Sequence, residues 1–98
     1  MSISTGSVLS TEHGDFYQVT RLSDSYVWVR KIESQVMGYS SVRTCFDYDI
    51  EVRPLIGRWA GEEFRRKLYR YGVPYIRVDD GFAFLMTGDR EIVERYLR

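Results

Sequence analysis

One cysteine, one histidine and two prolines are all that this 98-residue chain holds of three residue types that often mark chemistry or rigid architecture. A single cysteine, Cys45, forms no intrachain disulfide, which excludes a stapled secreted mini-protein. Without paired cysteines or histidines there is no zinc-binding spacing. Phosphate-cradling and dinucleotide fingerprints are absent, and no serine stands in a nucleophile-elbow setting. With so few catalytic groups the expectation is a non-enzyme that needs no cofactor and no metal. Net charge is also missing, since 14 basic residues balance 14 acidic ones. That argues against a generic nucleic-acid coat or a polybasic membrane binder. No segment approaches the roughly 18 apolar residues of a membrane span. The opening "MSISTGSVLSTEHG" lacks the charged-then-apolar layout of a signal peptide. A cytoplasmic location with no membrane partner is the resulting expectation.

Aromatic residues are abundant, at 15%, with eight Tyr, five Phe and two Trp. Tyrosine suits half-buried sheets and binding surfaces because an apolar body carries a polar tip. The length is that of one domain. Residues 1–14, rich in Ser, Thr and Gly, read as a loose N-terminal arm, and residues 15–98 as a single small β-rich domain.

"DFYQVTRL" and "SYVWVRKI" are β-branched and aromatic, with "SDS" at 23–25 as a tight turn, which predicts a hairpin over about 15–33. "ESQVMGYSS" reads as a connector or weak edge. "RTCFDYDIEVR", residues 43–53, alternates apolar and polar positions and reads as a long strand stopped by Pro54. In it Val42, Thr44, Phe46, Tyr48, Ile50 and Val52 share one face, and Cys45, Asp47, Asp49 and Glu51 the other. "GRWAGEEFRRKLYRYG" has two readings. As a helix it places Glu62 and Glu63 in the first turn, bases later and Gly72 past the end. As a strand it turns Phe64, Arg66, Leu68 and Arg70 one way. Local signals favour the helix. "VPYIRVDDGFAFLM" predicts a hairpin around Asp80-Gly81. "TGDREIVERYLR" predicts a short amphipathic C-terminal helix, capped by Thr87 or Asp89, with Ile92, Val93, Tyr96 and Leu97 inward. The fold class read from these elements is α+β: a small twisted antiparallel sheet or partly open SH3-like barrel of about five strands, with a C-terminal helix and an optional middle helix.

Two constellations merit weighing. Asp47, Asp49 and Glu51 spread over roughly 13 Å along one face of a strand. They do not converge as a hard cation requires, so they read as a wet face or a partner-docking face. Cys45 shares that face, where acidic neighbours raise a thiol pKa, and so reads as structural. The second constellation is basic and aromatic: Trp59, Phe64, Arg65, Arg66, Lys67, Tyr69, Arg70, Tyr71, Tyr75 and Arg77. Residues 54–78 hold six bases against two acids, a local +4, and residues 79–98 carry −2. Cations contact phosphates and rings stack on bases, while the same residue types make protein–protein hot spots. A simply solvated helix side is the third reading.

At "DFYQVTRLSDSYVWVRKI" and "PYIRVDDGFAF" the chain resembles a group of small uncharacterised phage and plasmid proteins that carry the same aromatic strand signatures. The likeness spans about residues 14–85 and departs at the charged ending "DREIVERYLR", where a Gly- and aromatic-rich tail is expected. It implies a mobile-element origin and carries over no catalytic residue. It raises the expectation of a protein that binds a macromolecule of its bacterial host, in the sharpest form a counter-defence, anti-CRISPR-like inhibitor acting by occlusion. Asp47, Asp49 and Glu51 would then imitate phosphates toward a host protein. The alternative is a nucleic-acid-binding small β-barrel using Arg65, Arg66, Lys67 and Arg70 with Tyr69 and Tyr71. A homodimer through an edge strand, or through the opposed charge patches, fits either.

Overall fold

Alternating strands with one apolar side and bare backbone donors bury neither alone, so they pair and curl. A computed structural model describes residues 2–42, 47–79 and 81–96. It shows eight strands: β1 (Val8–Ser10), β2 (Phe16–Leu22), β3 (Tyr26–Val42), β4 (Asp47–Trp59), β5 (Phe64–Lys67), β6 (Tyr75–Val78), β7 (Gly81–Leu85) and β8 (Glu91–Tyr96). Seven lie on one path in the order β6-β7-β1-β2-β3-β4-β8, and β5 pairs β3 beside it. Every pairing is antiparallel.

The 17-residue β3 organises the sheet because it is long enough to hold two partners in succession. Tyr26 to Val29 pair with Lys67 to Phe64 of β5. Ile32 to Val42 pair with β4, whose register jumps from Trp59 opposite Ile32 to Pro54 opposite Ser34. The intervening Leu55–Arg58 therefore bulges outward. Gly57 sits in that bulge at φ +76°, a left-handed conformation that suits glycine, and its N–H donates to Gln18 Oε1 at 2.9 Å.

At the other end the sheet curls back on itself. Leu68 N–H donates to the Ser25 carbonyl, and Tyr69 and Tyr75 exchange two backbone bonds of 2.9 Å. That isolated bridge ties the end of β5 to β6, the far edge of the path. The ladder itself is an open sheet, not a closed barrel.

Each face of the sheet covers its own apolar cluster. Inside the curl lie Ile3, Leu9, Val19, Val27, Val29, Leu68, Ile76, Ala83 and Leu85, with Tyr17, Leu22, Phe64 and Val78 packed against them. On the opposite face, where β4 joins, Phe16, Ile32, Ile50 and Val52 pack with Val8 and Met86. Full burial of one such side chain is worth about 1.5–3 kcal/mol.

The fold class expected from the sequence needs correction. The described residues are all-β, and neither the middle helix nor the C-terminal helix is present. The middle segment is β5, which occupies the edge of β3 that β4 leaves bare, with Phe64 against the core and Leu68 within it. The C-terminal segment is β8, paired residue by residue from Glu91 opposite Val52 to Tyr96 opposite Asp47. In both places a bare strand edge offers hydrogen bonds that a short isolated helix does not match. The strand count is eight rather than about five. The segment read as a loose arm holds β1, with Leu9 fully buried and Ile3 nearly so. The connector at 33–41 is the second half of β3, and β4 runs past Pro54 to Trp59. The hairpin around 23–25 and that between β6 and β7 stand where the sequence puts them. Arg43, Thr44, Cys45, Phe46, Asp80 and Leu97 lie outside the described residues, and with them the readings of the thiol and of the Asp80-Gly81 turn type.

Candidate functional site

Strand alternation decides which side chains face outward on the curled half. Val27 and Val29 point into the core, so Tyr26, Trp28 and Arg30 face away from it. On β5 the same parity turns Arg65 and Lys67 outward, and on β6 and β7 it presents Tyr75, Arg77, Phe82 and Phe84, because Ile76, Ala83 and Leu85 are buried. The outward side of the curl therefore carries cations and rings on five strands, along an arc of roughly 20 Å at about 4.8 Å per strand.

Its members touch in three separate groups. The Arg21 guanidinium lies 4.1 Å from the centre of the Trp28 ring, and Arg65 lies 4.6 Å from that of Tyr26. Lys67 Nζ is 5.4 Å from the Tyr69 ring centre. Tyr69 stacks on Tyr75 at 5.0 Å with 11° between the planes. Tyr75 meets Phe84 at 5.2 Å and Phe82 edge-on at 5.7 Å. Phe82 and Phe84 are 49% and 46% exposed, so each keeps about half of its surface in water. Cation–ring contacts of this kind are worth about 0.5–1 kcal/mol at exposed sites, and they hold the long side chains flat along the face.

Charge on this face is not cancelled. Among the described residues no carboxylate pairs with Arg21, Arg65, Lys67, Arg70 or Arg77. Glu63, just ahead of β5, accepts the Thr20 hydroxyl instead. Between β5 and β6 a cleft of about 320 Å³ is lined by Arg66, Lys67, Tyr69, Arg77, Val78 and Asp79. Asp79 stands 3.9 Å from Arg66, whose Nε–H also donates to the Arg77 carbonyl at 3.2 Å.

The residues singled out from the sequence part company here. Arg65, Lys67 and Tyr69 join the outward face, and Arg66 lines its cleft. Arg70 and Tyr71 follow the bridge, Tyr71 being 83% exposed. Trp59 ends β4 under the Arg30 guanidinium, 4.8 Å from its ring centre, and Arg30 Nε–H donates to the Gly61 carbonyl at 2.8 Å. The acidic trio lies on β4, opposite the end of β3 and beside β8. There Asp47 stands in register with Tyr96 and Asp49 with Glu94. Glu51 is not free, since Arg90 reaches it at 3.5 Å. The same guanidinium bonds Asp89 at 3.2 Å and holds that carboxyl below its ordinary pKa, while Asp89 and Glu51 together raise the pKa of Arg90. Among the described residues no group of three His, Cys, Asp or Glu side chains is placed to hold a metal ion, and no helix is long and apolar enough to cross a membrane.

Arg21, Tyr26, Trp28, Phe82 and Phe84 belong to the site yet were not among its sequence candidates. A signal for two of them lies in "GFAFL", a strand with large apolar residues at both parities. One parity fills the core, which leaves the other pair of rings in water. Arg21 and Trp28 carry no such mark, because only the register of β2 on β3 brings them together. Compared with known proteins, the chain matches no family model, no curated protein and no solved structure.

Proposed function

We propose that this chain is a non-enzymatic binding module that holds a macromolecule through the outward face of β2, β3, β5, β6 and β7. The observation that carries this reading is the set of cations without carboxylate partners, Arg21, Arg65, Lys67 and Arg77, interleaved with half-exposed rings, on a chain whose net charge is zero. Concentrating uncompensated charge and exposed aromatic area on one face costs solubility and self-repulsion, which an anionic, ring-accepting partner relieves. The resemblance of its strand signatures to mobile-element proteins, read from the sequence alone, is the ground for a partner from the bacterial host and a cytoplasmic setting. On that reading binding acts by occlusion, and a counter-defence role is its sharpest form. Because Arg90 already engages Glu51, the acidic strand is the weaker contact surface and the cationic face the stronger.

The test is capture from bacterial lysate with tagged wild type and two variants, their folding verified by circular dichroism. Lys67→Glu combined with Phe84→Ala is expected to lose most of the captured material. Glu51→Lys is expected to keep it. Equal capture by wild type and the Lys67/Phe84 variant would overturn the assignment of this face.

A further inference from the structure

We infer that the occupant of this face is a single-stranded nucleic acid, with bases stacked on Tyr75, Phe82 and Phe84 and phosphates held by Lys67, Arg77 and the cations beside them. The inference rests on the outward face being the contact surface, and it names the partner's chemistry.

Two features point the same way. The first is charge. The cleft between β5 and β6 brings Arg66, Lys67 and Arg77 together beside the Tyr69 ring. Its one carboxylate, Asp79, is 98% exposed and sits nearest Arg66, so Lys67 and Arg77 remain uncompensated. A phosphate dianion or diester fits such a notch, because a cation pair neutralises it without burying either charge. The second is shape. Tyr75 buttresses both phenylalanines, fixing their planes while leaving about half of each in solvent. Fixed rings next to uncompensated cations match a partner that alternates flat apolar planes with anions. A single strand does so along its whole length, since its bases are unstacked and reachable. A duplex hides its base planes, and an acidic peptide carries anions without planes. Stacking accepts every base, so little sequence preference is expected.

The experiment is fluorescence anisotropy with the full chain. The probes are labelled 12-nucleotide oligo(dT) and oligo(U), a 12-base-pair duplex and a polyglutamate peptide, each from 20 to 300 mM salt. The single strands are expected to bind at least about 10-fold more tightly than duplex or peptide, as stacking requires. Affinity should fall with salt at a slope of about −0.7 per phosphate contact, and so about −2 to −3.5 for three to five contacts. Phe82→Ala and Phe84→Ala should each weaken binding about 5- to 100-fold. Phe84→Leu, which keeps apolar bulk but no plane, should weaken it similarly. Lys67→Gln should flatten the slope by about one contact. No single-strand binding at 20 mM salt, equal affinity for duplex or peptide, or indifference to the phenylalanine variants would each overturn the inference. If the oligonucleotides fail while Lys67→Glu/Phe84→Ala still abolishes lysate capture, the face stands and its partner is a protein. If capture is also unaffected, both readings fall.

Discussion

Lys67 and Leu68 are neighbours in the chain with opposite fates. Leu68 is 6% exposed among Val27, Val29 and Ile76, while Lys67 projects over the Tyr69 ring. The same separation holds between Ala83, fully buried, and Phe84, half in water. Substitutions at the two parities should therefore report on different properties. Leu68→Ala removes core volume and is expected to cost about 2–4 kcal/mol of stability. Phe84→Ala is expected to cost less than about 1 kcal/mol, because much of that ring was never dry. Urea denaturation midpoints would show the first and barely register the second. Titration adds a smaller effect at Asp89, whose carboxyl the Arg90 guanidinium holds below its ordinary pKa. A depressed carboxylate pKa contributes stability above the ordinary carboxylate range and loses it as pH falls through the folded-state value. Asp89→Asn should thus leave stability near that of wild type in acid, and any loss should appear only toward neutral pH. The exposed position of this pair keeps the loss small.

The least predictable element from local sequence is β5. Glu62 and Glu63 ahead of a basic run, with Gly72 behind, form a helix-like pattern, and no signal within those residues says that β3 has a bare edge there. That edge exists because β4 departs at Trp59, where Ala60 N–H donates to the Lys31 carbonyl. The pairing partner of β5 is thus set some 35 residues away, beyond the reach of periodicity. The Tyr69–Tyr75 bridge is the element on which the site depends, since it seats the β6–β7 hairpin against β5. Tyr69→Pro removes one of its two N–H donors and the ring stacked on Tyr75. A loss of about 1–3 kcal/mol is expected. Hydrogen exchange should show the Tyr75 amide losing protection while the amides of β2 keep theirs.

At the scale of the molecule the sheet does two jobs in two places. The curled half encloses the larger core and carries the outward cation–ring face. The other end, where β4 and β8 extend the sheet beside the second half of β3, has its own small cluster on the side of the sheet opposite that core. The outcome is an elongated body of 46 × 28 × 23 Å with a radius of gyration of 14.0 Å, against about 12.5 Å for a compact chain of this length. Small-angle scattering of a monomer should return a value close to 14 Å plus hydration. A markedly larger value would show a dimer, for which the outer edge of β8 is one available strand edge among the described residues. Pairings that join β1 to β7 and β4 to β8 across long stretches of chain also predict folding in milliseconds to seconds rather than microseconds, readable by stopped-flow tyrosine and tryptophan fluorescence.

Alternation alone determined that β2, the first half of β3, the first half of β4, β6 and β7 are strands, and which of their residues face a core, because a period of two is a local property of the chain. Composition determined that rings and arginines are plentiful. The tertiary structure decided the rest: that the middle and C-terminal segments are strands, that the opening residues belong to the core, and that Arg21, Trp28, Tyr26, Lys67, Tyr75 and Phe84 all lie on the outward side of the curl. Those outcomes depend on which backbone edges are left bare after the long strand has paired. Hydrogen-bond satisfaction across distant segments then outweighs the preferences of a few neighbouring residues.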